Sequence, residues 1–145
     1  MEDRQEEHDT YDLQRFVDAQ VRAYENACSE LKLGQKQSHW MWFVFPQIKG
    51  LGTSSTALYY AISGRDEAQA YLRHPVLGPR LRECTKLVNA IEGRTIRQVF
   101  AYPDNLKFRS CMTLFSEVTS ENEEFLLAVK KYFSGQPDSA TLACL

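Results

Sequence analysis

Residues 37–52 read QSHWMWFVFPQIKGLG, and the fold turns on how the six apolar residues from Trp40 to Phe45 are read. An unbroken apolar run carries no period of its own, so a buried strand and a short buried helix are both open to it. A strand needs a partner, and no other segment shows the alternation of apolar and polar residues that a half-buried strand would carry. The run is therefore expected to be a short helix ending near Pro46, whose ring has no N–H to continue the ladder. With that choice made, the chain reads as all-α.

The flanking segments agree. Upstream, YDLQRFVDAQVRAYENACSELK places Leu13, Phe16, Val17, Val21, Tyr24, Cys28 and Leu31 three or four apart, one face of a helix stopped at Gly34. Downstream, KGLGTSS is a turn feeding a helix in STALYYAIS, capped by one of Thr53, Ser54 or Ser55. SGRDEAQAYLRH opens with Ser63 and Asp66 three apart, a near capping box. HPVLGPRLRECTKLVNAIEG aligns Leu77, Leu81, Cys84, Leu87, Val88 and Ile91 and ends at Gly93. TIRQVFA is a short helix capped by Thr95. PDNLKFRSCMTLFSEV follows with Leu106, Phe108, Met112, Phe115 and Val118 as apolar positions, and Asp104 is an N-cap candidate. SENEEFLLAVKKYFSG begins on a Ser120–Glu123 capping box and stops at Gly135, and SATLACL makes a last turn. The expectation is a compact all-α single domain of about seven to eight short and medium helices over residues 12–145, after an acidic flexible tail over 1–11.

Composition narrows the function. At 145 residues the chain can bury about two thirds of its unfolded surface around one core. No apolar run exceeds six residues, far short of the roughly 20 a membrane span needs. The start, MEDRQEEHDTYD, lacks the basic and apolar regions of a secretory signal, so a cytoplasmic protein is expected. Cys28, Cys84, Cys111 and Cys144 are widely spaced and read as free thiols, with no structural metal and no cofactor expected. The net charge of −2 conceals a segregation. Residues 32–110 hold twelve Lys and Arg against five Asp and Glu, between acidic ends. A basic middle suits a small anionic ligand, whereas the acidic pI near 5.9 speaks against extensive duplex nucleic-acid binding.

Two stretches could carry chemistry. In the first, His39, Trp40, Trp42, Lys49, Gly50, Gly52 and Ser54 combine aromatic faces with a glycine-rich turn and a cation. Such a stretch could supply both a stacking surface and a phosphate seat. The plainer reading makes the aromatics core and leaves function to their flanks. In the second, Asp104, Lys107 and Ser110 fall along one side of a helix, and Arg109 projects from another. A carboxylate, cations and a hydroxyl in one place serve phosphate or ribose recognition, or general acid–base work.

DLQRFVDAQ, GQKQSHWMWFVFPQIKGLG, AYLRHPVLGPRLRECT and PDNLKFRSCMTLF, in that order, resemble the family catalogued as domain of unknown function 1810, from about Asp12 to Leu145. The resemblance implies an all-helical single domain and no established reaction, cofactor or partner. His39, Trp40, Trp42, Asp104 and Lys107 match that family's pattern. The chain departs from it at Ala101, at Asn105 in place of a second Asp, and at Cys111 in place of a second Ser. A weaker analogy runs to the NADAR proteins of NAD and ADP-ribose metabolism, which also join aromatic segments to an Asp-containing late motif.

Two functions follow as expectations. In the first, both stretches meet around one positively charged pocket for a phosphorylated nucleoside or ADP-ribose-type ligand. Hydrolysis there would use Asp104 as base or oxocarbenium-stabilising carboxylate and His39 as acid. In the alternative, the chain is a non-catalytic protein-interaction module with a purely structural aromatic core.

Overall fold

The computed structural model describes residues 9–145. Its elements are α1 (Gln14–Leu33), α2 (Met41–Val44), α3 (Ser55–Tyr59), α4 (Arg65–Arg73), α5 (Leu77–Asn89), α6 (Ile96–Val99), α7 (Asp104–Glu117), α8 (Glu123–Phe133) and α9 (Ser139–Ala143). Nine helices stand among the described residues where seven or eight were expected, because the closing SATLACL turn winds into α9 behind the Asp138 cap. Among those residues there is no strand. One isolated bridge pairs Ile48 with Ile62, through Lys49 N–H to the Ile62 carbonyl at 2.7 Å and Ile62 N–H to the Gln47 carbonyl at 2.8 Å. It ties the segment after the aromatic run to the end of α3.

The aromatic run makes a single helical turn, and burial restores the period its sequence hides. Trp40, Met41, Val44 and Phe45 are buried, while Trp42 and Phe43 are half-exposed. Trp40 and Phe45 join Phe100 and Phe108 in an aromatic core, with Phe45 meeting Phe108 edge to face at 5.1 Å between centroids. The turn is anchored to α1 by Glu30. Its Oε1 accepts from Gln37 N–H (2.7 Å), Ser38 N–H (3.0 Å) and Trp40 Nε1–H (2.8 Å), and its Oε2 accepts from the Ser38 hydroxyl. Burial alone would raise this carboxyl, but those four donors outweigh it and bring it down to about 2.

α7 is the central rod. It packs along α8, carries α9 on one side and meets α4 and α6. Cys111, Met112, Thr113, Leu114 and Phe115 on it are entirely buried. α5 lies between α1, α4 and α8. Gly78 on α5 makes the α4–α5 turn compact, since a Cβ there would stand 2.1 Å from the Leu72 carbonyl oxygen.

Several local expectations are corrected. The buried side of α1 is Phe16, Gln20, Ala27 and Leu31, and Val21 is 71% exposed. Gln20 can take the buried place because its amide donates to the Phe43 carbonyl at 2.7 Å. No Ser63–Asp66 capping box forms. Glu67 accepts from Ser63 N–H at 2.8 Å instead, held in place by a buried pair with Arg15 at 2.9 Å. α8 starts without a side-chain cap, so the Ser120–Glu123 box is absent too. Thr95 and Gln98 do form a reciprocal capping box on α6. Residues 1–8 of the expected acidic tail lie outside the described residues. The carboxylate of Asp9 accepts from Leu13 and Gln14 N–H at 2.6 and 2.8 Å and begins α1.

Candidate functional site

The half-exposed Trp42 opens onto a cleft of about 440 Å3, within the range of small-molecule sites. Gln47, Gly52, Thr53 and Ser54 come from the first stretch, and Pro103, Leu106, Lys107 and Ser110 from α7 and its approach. Asp138 and Ala140 at α9 complete the wall. The two stretches separated by some fifty residues of chain thus share a solvent-open hollow. Gly52 keeps the turn into α3 tight, because a Cβ there would come within 2.7 Å of the Ala57 Cβ. Ser54 caps α3 by accepting from Ala57 N–H at 3.1 Å. Gly50, with its left-handed φ of +107°, lies in an adjoining crevice beside Trp42 and Tyr60.

A chain of charges and rings runs from the cleft lining into the core and joins the two stretches. Lys107 Nζ sits 5.0 Å from the centroid of the Trp42 ring and 3.5 Å from Asp104 Oδ1. Asp104 Oδ2 is 2.9 Å from Lys36 Nζ, which in turn lies 5.3 Å from the Trp40 ring centroid. Asp104 therefore holds both lysines against their tryptophans and does not line the cleft. It is not an N-cap either, since Pro103 occupies that position.

The remaining expected residues fall outside. His39 is exposed and away from the cleft lining, and Trp40 is 1% exposed within the core. Lys49 is exposed and does not line the cleft. Arg109 donates to the Gln136 carbonyl at 2.9 Å and lies over Phe133. Ser110 lines the cleft, but its hydroxyl is already committed to the Leu106 carbonyl (3.1 Å) and Asp138 Oδ2 (3.2 Å). The hollow is consequently not the strongly positive one expected. Among its described lining residues Lys107 is the one cation, facing a carboxylate at Asp138.

Asp138 is the residue that sequence reasoning missed. Its Oδ2 accepts from Thr141 N–H (2.9 Å), the Thr141 hydroxyl (2.6 Å) and Ser110, which leaves Oδ1 without a bond from the described residues. The signal was there in PDSATL, an Asp just before a short apolar turn, which marks an N-cap. Leu106, read as core, is 44% exposed and forms part of the cleft. Of the departures from the family pattern, Asn105 is buried in the first turn of α7 and Cys111 is fully buried, with burial pushing its thiol well up. Neither lines the cleft, so neither removes a functional group from it.

Fold and cleft define a compact all-helical domain with a solvent-open cleft beside Trp42, and among the described residues no helix is long and apolar enough to cross a membrane. The chain belongs to the family described as protein of unknown function DUF1810, whose model matches residues 10–145. It is similar over 94% of its length, and 98% of the other chain, to the crystal structure of the conserved hypothetical protein Rv1873 from Mycobacterium tuberculosis, at 52% identity and a TM-score of 0.94. No curated protein matches the chain.

Proposed function

We propose that the Trp42–Lys107–Asp138 cleft binds a small phosphorylated nucleoside, of the nucleotide or ADP-ribose type. The observation that carries this reading is the meeting of a half-exposed indole with an ammonium 5.0 Å from its ring and a carboxylate in the same open hollow. The half-buried Trp42 ring, which lines the cleft, suits stacking with a flat base. Asp138 Oδ1 suits the hydroxyls of a ribose, and Lys107 offers the charge for a phosphate. The hydroxyl of Thr53 adds a neutral donor on the same wall.

Binding, rather than hydrolysis, is what this arrangement favours. A general acid and base must stand within hydrogen-bond reach of the scissile bond. His39 lies away from the cleft, and Asp104 is occupied by two lysines. The four free cysteines suit action in the cytoplasm.

Thermal unfolding with millimolar ADP-ribose or nucleoside phosphates tests the reading. Ligand at a hundredfold excess over its dissociation constant adds about 2.7 kcal/mol, a rise of roughly 5–10 °C for a chain of this size. Lys107→Ala is expected to fold normally and lose that rise. No shift with any of these ligands would turn the balance toward a protein-interaction module.

A further inference from the structure

Half of the twelve cations of the basic middle are engaged within the fold. Lys36 and Lys107 pair with Asp104, and Arg82 with Glu124. Arg80 lies over the Tyr24 ring and donates to Gln20, and Arg65 and Arg109 donate to carbonyls. Arg94 and Arg97, flanking the start of α6, have no such carboxylate partner among the described residues. Together with Lys131 of α8 they line an open hollow of about 540 Å3, completed by Thr95, Ile96 and Tyr132. It shares no residue with the Trp42 cleft, and among the described residues no carboxylate lines it.

The hollow is built rather than incidental. Lys131 Nζ is fixed by the carbonyls of Asn89, the last residue of α5, and of Ile91 just past it, both at 2.6 Å. An ammonium has three donors, so one is left for a ligand. Tyr132 is fixed beside it by donating to the Val88 carbonyl at 2.6 Å. Arg94 lies against Gly34, where an added Cβ would be 3.1 Å from its Cδ and Nε. The left-handed Gly34 ends α1 there, and the negative end of a long helix favours a guanidinium. Arg97 stacks over the Tyr102 ring at 5.6 Å. Neither guanidinium has a hydrogen-bond acceptor among the described residues, and their planar forks match the geometry of an oxyanion. Burial, and after it the charge of Glu92, push the Tyr132 phenol up, and Glu92 stands outside the lining.

We infer that Arg94, Arg97 and Lys131 form a second ligand site, one that takes a small polyanion bearing two or more phosphate-type charges. Three cations without a lining acid exceed what a single carboxylate ligand needs. The volume suits a small molecule, and the acidic chain as a whole disfavours a nucleic-acid duplex.

Calorimetric titration of the full chain with sodium tripolyphosphate at low ionic strength tests the site. Arg94→Gln with Arg97→Gln is expected to weaken binding at least about tenfold, the loss of two charge-assisted contacts, whereas Lys107→Ala leaves it within about twofold. Amide resonances of the unaltered protein are expected to move at residues 94–97 and 131–132. The proposal is overturned by absence of binding at millimolar tripolyphosphate, by unchanged affinity in the double variant, or by resonance changes centred on Thr53 and Lys107 instead. Tighter binding of a DNA duplex than of tripolyphosphate would also overturn it. Because the Trp42 cleft is read with nucleoside monophosphates and Lys107→Ala, and this site with tripolyphosphate and the arginine pair, either site can fail alone.

Discussion

Glu30→Gln tests whether the charge of one carboxylate holds the aromatic turn in place. Glutamine is nearly the same size, and its carbonyl can still accept from Gln37, Ser38 and Trp40, so the change removes charge more than contacts. The carboxyl is brought from its ordinary 4.5 down to about 2. At about 1.4 kcal/mol per pH unit this is worth roughly 3.4 kcal/mol, and water reaching the half-buried group reduces it to about 2 kcal/mol. Above pH 4.5 Glu30 is ionised whether folded or unfolded, and the contribution is fully present. As pH falls toward 2 the unfolded chain takes up the proton first and the contribution disappears. Urea unfolding followed by tryptophan fluorescence should show the variant about 2 kcal/mol less stable at pH 7 and about 0.5 kcal/mol less stable at pH 2.5. An equal deficit at both pH values, or none at pH 7, would refute the reasoning.

The two tryptophans should separate cleanly. Trp40→Ala, emptying a site in the aromatic core, is expected to cost about 3–5 kcal/mol in urea unfolding, whereas Trp42→Ala costs at most about half of that and abolishes the thermal shift with nucleosides. Gly78→Ala forces a methyl against the backbone of Leu72, which cannot swing aside like a side chain, so a loss of about 3 kcal/mol or more is expected from the same measurement.

Much of the fold was legible because helices announce themselves locally. Gly34 ends α1 in the left-handed conformation its sequence position suggested, Thr95 caps α6, and Leu77, Leu81, Cys84 and Val88 bury the predicted face of α5. What failed was whatever depended on a partner from elsewhere. Gln20 displaced Val21 from the interior only because the Phe43 carbonyl is there to receive its amide. Ser63 lost its capping role to Glu67 only because Arg15, on another helix, holds that carboxylate. For the site, the expectation that Trp42, Gly52 and Ser54 adjoin Lys107 and Ser110 matches the cleft lining, while Asp138 went unseen because it comes from the last turn of the chain.

The amino-acid order alone determined the all-helical architecture, the main helix stops and the aromatic composition of the interior, since those follow from spacing, capping and turn chemistry within a few residues. Only the tertiary structure decided which tryptophan is buried and which lines the cleft, that Asp104 tethers Lys36 and Lys107, and that Arg94 and Arg97 meet Lys131 in a second hollow. The physical reason is that exposure and charge pairing are set by contacts across dozens of residues, where a side chain's neighbours rather than its own preference fix its role.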